Sequence, residues 1–522
     1  MRADVPCIGP AHASSFTSYR LNILRSSAGK ACAFLQRQPL AWALPLQAIL
    51  LFANLELLDP WTDEEFALST AALPAGEIVA TVSRNIHPPL YYLLLHWWNA
   101  LPWKIGLLES SRAMSSTWAM LATLVVYVCW LKDREPLSFQ MRFLALWVLS
   151  PCLLLHARMA RSYSMQMALA AFVVWAALRW ADRPTDRRRW AMYVLANAAL
   201  LYTHYLPGAG LAAGLFLMLL ARRRYRLAAV QSASLTVLYL PWLPTLLGAL
   251  AVWASGDAAP ETASLLVDQL VRLAYLFVAF AFGETFPTIG IVLAILLAPV
   301  MIYTLWKSAF PPRPAWLPMV LIACGAAWVG VSRIEQFVFM PSGLFFALPF
   351  FLLLIARRLK GGAFAALLAL YACADYAYFD RNGYLVKPYA APNREMAEVI
   401  RAGSAGREAI LAIEPFGSYS PPLVARLEGS VRVVELENEE VAADLLSAVR
   451  ADKERRTMVW VWRHTSDISP NAFVTRFEHE LSLGRDVRLH EFVPYSLPER
   501  WARRLLRGPG QADFYYRLYE VR

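Results

Sequence analysis

Apolar residues in this chain run in long unbroken stretches rather than alternating or recurring every third or fourth position. Such stretches predict membrane-spanning helices near 39–58, 111–131, 141–157, 163–180, 190–204, 206–221, 228–252, 287–306, 315–331, 340–356 and 363–379. Each approaches the roughly 20 apolar residues that a helical crossing needs. A spanning β-barrel would alternate instead. PLYYLLLHWWNALPW (89–103) and LVRLAYLFVAFAFG (270–283) are short for a span, with 15 and 14 residues.

Polar positions set the orientation. Arginines gather in short loops between the apolar runs: RPTDRRR at 183–189, ARRRYR at 221–226, and Arg357, Arg358 and Lys360. Basic loops stay cytoplasmic. With the basic tail 1–38 inside, and 89–103 and 270–283 read as juxtamembrane or re-entrant helices, all three fall on the cytoplasmic side. That gives eleven spans. The alternative is thirteen, with the middle of the chain inverted; both counts leave the C-terminus outside. The tail lacks the apolar core of a cleavable signal peptide, so it reads as a cytoplasmic segment.

After residue 380 the pattern changes. Strand-like runs (EAILAIEP, VRVVELE, MVWVWRH, DFYYRLYEV) alternate with amphipathic helical runs. A small α/β domain over 381–522 is expected on the outer face. It shows no phosphate-cradling glycine motif and no nucleophile elbow, which suggests a lid or docking module.

Composition agrees with this picture. The 522 residues are 58% hydrophobic and 17% charged, with a net charge of +11. In a membrane protein that charge reports orientation, and the chain carries no nucleic-acid-binding signature. None of the six cysteines falls in the polar last quarter, so no disulfide framework is expected there, and no cysteine spacing suits a metal.

Candidate chemistry collects on one side. Three adjacent carboxylates, Asp63, Glu64 and Glu65, stand just beyond the first span in WTDEEF (61–66). Arg84 and His87 follow in the same loop. Arg158, Arg161 and Tyr163 lie in HARMARSY (156–163), His204 and Tyr205 in LYTHYLPG (201–208), Glu284 in FGETFP, and Arg333, Glu335 and Gln336 in SRIEQF. Each alone has an ordinary explanation: hydrated acids, snorkelling arginines, an interfacial histidine. For Glu65 the hydrated reading is preferred. Together, on outer loops near membrane depth, they suggest one shared polar cavity. A carboxylate there could take a proton from an acceptor hydroxyl, and arginines could bind a phosphate and stabilise a departing charge.

These motifs resemble those of the GT-C glycosyltransferases. TDEEF (62–66) resembles the acidic motif of their first outer loop. IHPPLYYLLLHWW (86–98) resembles the segment after it in the branch holding protein O-mannosyltransferases and bacterial aminoarabinose transferases (glycosyltransferase family 39-like). ARMARSYSMQMALAA (157–171) and LYTHY (201–205) resemble elements of the bacterial members. The resemblance covers roughly 40–380. It implies a polytopic GT-C membrane domain (39–380, with outer loop 59–110) and an extracytoplasmic C-terminal domain (381–522). It also implies an inverting, hexosyl- or mannosyltransferase-like enzyme at the outer face of the bacterial inner membrane. The donor would be a polyprenyl-phosphate sugar and the acceptor a hydroxyl of a lipid, glycan or protein. Asp63 is implied as base, with Glu64 in support. His87, Arg158, Arg161, Tyr163 and His204 are implied as contacts to phosphate or sugar. Family members often carry an Arg-Tyr pair before the proline of a late outer loop. Here that stretch reads EQFVFMP (335–341), so either Arg333 substitutes or the donor contact differs. A divalent cation could sit at Asp63 and Glu64, although no spacing demands one. The alternatives are a transporter or flippase of lipid-linked glycans, or a polymerase or ligase using a diphosphate-linked donor. Against the transporter, the spans are nearly free of charge and show no internal repeat.

Overall fold

The computed structural model describes residues 38–521 except 86, 256–264, 311–313, 333–338, 414–420, 453–456, 465–471, 498, 502–503 and 505–513. Arg333, Glu335 and Gln336 therefore lie outside the described residues.

The chain is a multi-pass α-helical membrane protein with a small C-terminal sheet unit. Helices α1 (Leu40–Phe52), α2 (Thr62–Ala71), α3 (Ala75–Arg84) and α4 (Leu90–Asn99) precede the long α5 (Leu107–Val126), which a π-helical turn extends to Leu131. Helices α6 (Leu137–Val148) and α7 (Pro151–Ala157) meet at a 51° bend. Then come α8 (Tyr163–Asp182), α9 (Arg187–Leu201), α10 (Tyr205–Ala221), α11 (Tyr225–Tyr239) and α12 (Leu243–Ser255). Helices α13 (Leu265–Phe282), α14 (Thr288–Ala309), α15 (Leu317–Val331), α16 (Phe339–Leu344), α17 (Leu348–Arg358) and α18 (Gly361–Phe379) complete this part.

Among the described residues, six helical segments are long and apolar enough to cross a bilayer, or seven if α6 and α7 count as one broken span. This is fewer than the eleven stretches read from hydropathy. Several of those appear as shorter helices: α1 with 13 residues, α10 with 17 and α15 with 15. The case of α1 has a visible cause. Its apolar run continues to Leu58, but the helix stops at Phe52 and Asn54 takes φ 50°. Arginines from other segments bind the carbonyls of Leu50, Asn54, Leu55 and Leu58, which hold the chain out of helix there. The stretch at 89–103 folds as the ten-residue α4, roughly 15 Å long and too short to cross. The stretch at 270–283 lies in the longer α13, whose first turns add an Asp268–Arg272 ion pair at 2.7 Å.

Helix packing relies on small residues, as it must where lipid is as apolar as the side chains. Gly210 and Gly214 put one face of α10 directly on α15. A Cβ at Gly210 would sit 2.6 Å from the Ala323 Cα, and one at Gly214 2.8 Å from the Met319 Cα. Large apolar side chains such as Ile289, Ile295 and Leu296 on α14 point outward, as lipid contact requires.

The sheet unit contains β1 (Glu408–Ile413), β2 (Arg432–Glu435), β3 (Thr457–His464), β4 (Val487–Pro494) and β5 (Phe514–Val521) in the order β2-β1-β3-β5-β4. The first three strands are parallel; β5 runs antiparallel to β3 and to β4. Helices α19 (Asn393–Gly403) and α20 (Pro421–Leu427) cover one face, and α21 (Glu439–Ala451) and α22 (Ala472–Ser482) the other. The period of two in MVWVW does this directly. Met458, Trp460 and Trp462 pack on the first face, Val459 and Val461 on the second.

This unit is tied to the helices close to the acidic motif. Gly283 and Gly383 take φ 91° and 70°, and a Cβ at Gly383 would fall 2.1 Å from the Phe286 carbonyl oxygen. The two glycines let 283–286 and 383–385 pair through Phe286 N–H to Gly383 O and Leu385 N–H to Glu284 O, each 2.8 Å. Tyr389 then rests edge-on against Trp61, centroids 5.1 Å apart. Arg426 of α20 reaches Asp59 as an ion pair.

Candidate active site

The three carboxylates fall in the first turn of α2, where the helix dipole favours negative charge. Successive helical residues point about 100° apart, so the three meet different surroundings. Glu64 faces inward, its side chain 1% exposed; Asp63 keeps 25%. Glu65 is half-buried.

Glu64 is fully engaged. Arg112 of α5 donates Nε to one carboxylate oxygen at 2.8 Å and a terminal nitrogen to the other at 2.7 Å, and the Ala160 amide adds a bond at 2.7 Å. The rest of the Arg112 fork donates to the carbonyls of Leu55 and Leu58 at 2.7 Å and of Asp59 at 3.4 Å. One guanidinium thus fastens the segment between α1 and α2, α2 itself and α5, while Glu64 reaches the turn after α7. Residue-by-residue reading missed Arg112. The available signal was a lone arginine among small polar residues in LLESSRAMSST.

Asp63 meets Arg161. Their side chains approach to 3.3 Å, and Arg161 also donates to the Asp63 carbonyl at 3.0 Å and the Tyr92 hydroxyl at 3.4 Å. The Arg161 guanidinium carbon lies 5.9 Å from the Tyr163 ring centroid, and Tyr163 is hydrogen-bonded to Ser342. The 51° bend makes this possible. Ser150 caps α7 by accepting from the Leu153 amide at 3.3 Å, and Pro151 starts the new direction. The short helix then delivers 158–162 beside α2.

His87 packs against Phe66 and Tyr92, ring centroids 5.5 and 5.9 Å away. Burial, then Arg161, then His204 push its imidazole down to about 3. His204 is pushed to about 4 by burial and then Arg161. Its Nδ1 accepts from the Leu206 amide at 3.3 Å, which leaves the proton of the neutral ring on Nε2. The two imidazoles are thus neutral groups in the field of one guanidinium. A backbone bond from Leu90 to the Tyr202 carbonyl, 3.0 Å, holds their loops together.

The structure places Arg158 apart from Arg161. Arg158 turns back to the end of α1, donating to Leu50 O at 2.7 Å and Asn54 O at 2.6 Å, and stacks on Tyr378 and Phe379, both 5.2 Å away. The carbonyls that end α1 lack intrahelical partners and claim it. Glu65 is not simply hydrated: burial, then Glu64 and Asp59, push its carboxyl up to about 7. Arg84 is exposed at the end of α3.

Deeper in, Glu284 binds His156 at 2.7 Å and accepts from the Tyr275 hydroxyl. The His156 ring stands edge-on to Tyr163 at 5.9 Å. Sequence reading had named Glu284 without its partners.

Among the described residues, no three His, Cys, Asp or Glu side chains gather as metal ligands. Both Glu64 oxygens are taken by Arg112 and Ala160, and Asp63 faces a cation. As arranged, the acidic pair does not fit a divalent ion.

No protein-family profile matches the chain, and no curated protein matches it. Solved structures of similar arrangement include ArnT from Cupriavidus metallidurans in the apo state, 12% identical, with 94% of this chain and 98% of that chain covered and a TM-score of 0.49. The same protein bound to undecaprenyl phosphate gives 12% identity, 92% and 97% coverage, and 0.47. The Archaeoglobus fulgidus oligosaccharyltransferase complex with zinc and sulfate gives 14%, 81% and 67%, and 0.42.

Proposed function

We propose that the chain is a GT-C glycosyltransferase that moves a sugar from a polyprenyl-phosphate donor to an acceptor hydroxyl. The observation that carries this reading is the Asp63–Arg161 pair. It is a partly exposed carboxylate 3.3 Å from a guanidinium, drawn from segments almost 100 positions apart and ringed by Tyr92, Tyr163 and neutral imidazoles.

The chemistry follows from those groups. Asp63 accepts the proton of the acceptor hydroxyl as its oxygen attacks the anomeric carbon. The bond from that carbon to the phosphate oxygen breaks, and polyprenyl phosphate leaves with the electron pair. Arg161, released from Asp63 as the carboxylate is protonated, stabilises the departing phosphate through its planar fork. A single displacement of this kind inverts the anomeric centre. Glu64 holds the geometry and contacts neither substrate. His87 and His204 supply neutral donors or acceptors to sugar hydroxyls. No step is routed through a metal.

In this reading the site faces the non-cytoplasmic side of a bacterial inner membrane, and 381–522 is an outer domain that closes over it. The sugar belongs to the hexose class, mannose-like by the motif resemblance, and the acceptor is a lipid, glycan or protein hydroxyl. The test is transfer in reconstituted membranes from a polyprenyl-phosphate hexose. Wild type transfers, Asp63→Asn does not, and both keep the same melting temperature. Flux of lipid-linked glycan without covalent transfer, or turnover only with a diphosphate donor, would replace this reading with a flippase or a polymerase.

A further inference from the structure

The end of the helical unit opposite the candidate site carries a second constellation. Tyr163 begins α8 at the site; Arg179 lies near its other end, roughly 24 Å along the axis. There Trp175 carries two guanidiniums, with Arg134 and Arg179 at 6.0 and 5.8 Å from its ring centroid. Arg189, from the start of α9, donates to the Arg179 carbonyl at 3.0 Å. A cavity of about 180 Å³ opens beside them, lined by Trp175, Ala176, Arg179, Arg189 and Met192.

Charge at this end is unbalanced. Arg189 pairs with Asp186 at 3.1 Å, and Glu135 faces Arg357 at 3.9 Å. Asp133 and Asp182 are exposed. Among the described residues, neither Arg134 nor Arg179 forms an ion pair. Two like charges held at one indole repel; burial and then Arg179 lower the proton affinity of Arg134. An aromatic platform under a guanidinium fixes its plane and leaves its N–H edges to point at an anion. The other wall of the cavity, Ala176 and Met192, is apolar. A free inorganic anion would gain nothing from it, whereas an amphiphile uses both walls.

We propose that this cavity binds the phosphate headgroup of an anionic phospholipid. Arg179, which lines the cavity, holds the phosphate oxygens with Arg134 reaching in from its rim across the same indole, and the Trp175–Met192 wall takes the start of an acyl chain. Ordinary snorkelling of rim arginines predicts no selectivity among them; a built site does.

The experiment uses the full chain in a neutral detergent and reads the thermal midpoint against added short-chain phosphatidylglycerol, phosphatidylcholine of the same chain length, or inorganic phosphate. Phosphatidylglycerol is expected to raise the midpoint, as a ligand of the folded state must, and the other two are not. Arg134→Gln with Arg179→Gln is expected to keep the unliganded midpoint and weaken the apparent affinity roughly tenfold or more. Arg222→Gln with Arg223→Gln, on the neighbouring basic loop, is expected to leave it unchanged. Equal stabilisation by phosphatidylcholine or by inorganic phosphate overturns the proposal, as does equal weakening in the control pair. Should the first pair fail to fold, a photoreactive anionic lipid on the wild-type chain decides. Labelling at Arg134 or within 175–192 supports the site, and labelling confined to other segments refutes it.

Discussion

Glu64 and Arg112 join through two parallel hydrogen bonds of 2.8 and 2.7 Å, with side chains only 1% and 5% exposed. Every N–H of that guanidinium has an acceptor, and Glu64 takes a third donor from Ala160. Removing one partner of such a pair leaves an uncompensated buried charge, which costs about 3–5 kcal/mol. Arg112→Met and Glu64→Gln are therefore expected to lower the melting temperature sharply. The double variant Glu64→Met/Arg112→Met should lose less than the two singles added together. Glu64→Gln with an unchanged melting temperature but no transfer would instead make Glu64 a participant in the chemistry.

Asp63 should respond in the opposite way. It is reachable and, among the described residues, pairs with one cation, so Asp63→Asn is expected to leave stability within about 0.5 kcal/mol of wild type. Loss of a general base lowers kcat by about 10²–10⁴. Arg161→Lys keeps the charge and loses the fork, and should raise KM for the donor as well as lower kcat. Steady-state kinetics with varied donor separates the two effects. A KM rise in Asp63→Asn with kcat intact would point to sugar binding rather than proton transfer.

The contrast between these neighbours marks what could be read along the chain. Long apolar runs marked the membrane class, and MVWVWRH read as a strand, although that both of its faces are buried shows only in the fold. That Asp63, Arg161, His87 and His204 lie near one another was legible because the predicted topology put their loops on one side. What one residue does within a turn was not. Arg158 and Arg161 look equivalent in ARMARSY, yet one binds the carbonyls at the end of α1 and the other Asp63. That division depends on where α1 stops, and α1 stops inside an apolar run that hydropathy treats as continuous. The partner of Arg112 was hidden for a similar reason: it lies 48 positions away.

Glu65 gives a pH-dependent signature. Its carboxyl titrates at about 7 in the fold, against an ordinary 4.5. Between those values the folded chain holds a proton that the unfolded chain has lost, so the contribution of Glu65 to stability falls as pH rises through that window and levels off above about 7. Glu65→Gln cannot ionise, so its melting temperature should gain on that of wild type from pH 4.5 to 7, with the gain largest at the alkaline end. Parallel curves for the two proteins across that range would mean that Glu65 is solvated after all.

His87 works in the other direction, and the two can be told apart. Its imidazole is protonated near pH 6.5 when unfolded and only near about 3 when folded, because burial, Arg161 and His204 all oppose the charge. Between those values the unfolded chain binds the extra proton. The contribution of His87 is thus complete above about 6.5 and is lost as pH falls toward 3. His204, held down to about 4, adds to the same limb. Through these two rings acid should therefore weaken the wild type from about pH 6.5 downward, against the contribution of Glu65, which grows over the same range until about 4.5. His87→Gln should soften that limb, and adding His204→Gln should soften it further, while the Glu65 slope, set by a carboxyl rather than an imidazole, remains. The measurement is the melting temperature from pH 4 to 8 for wild type, each single variant and the pair. An acid limb of unchanged steepness in the histidine pair would show that these rings titrate alike in the folded and unfolded chain, and so are open to solvent rather than held neutral by burial and Arg161.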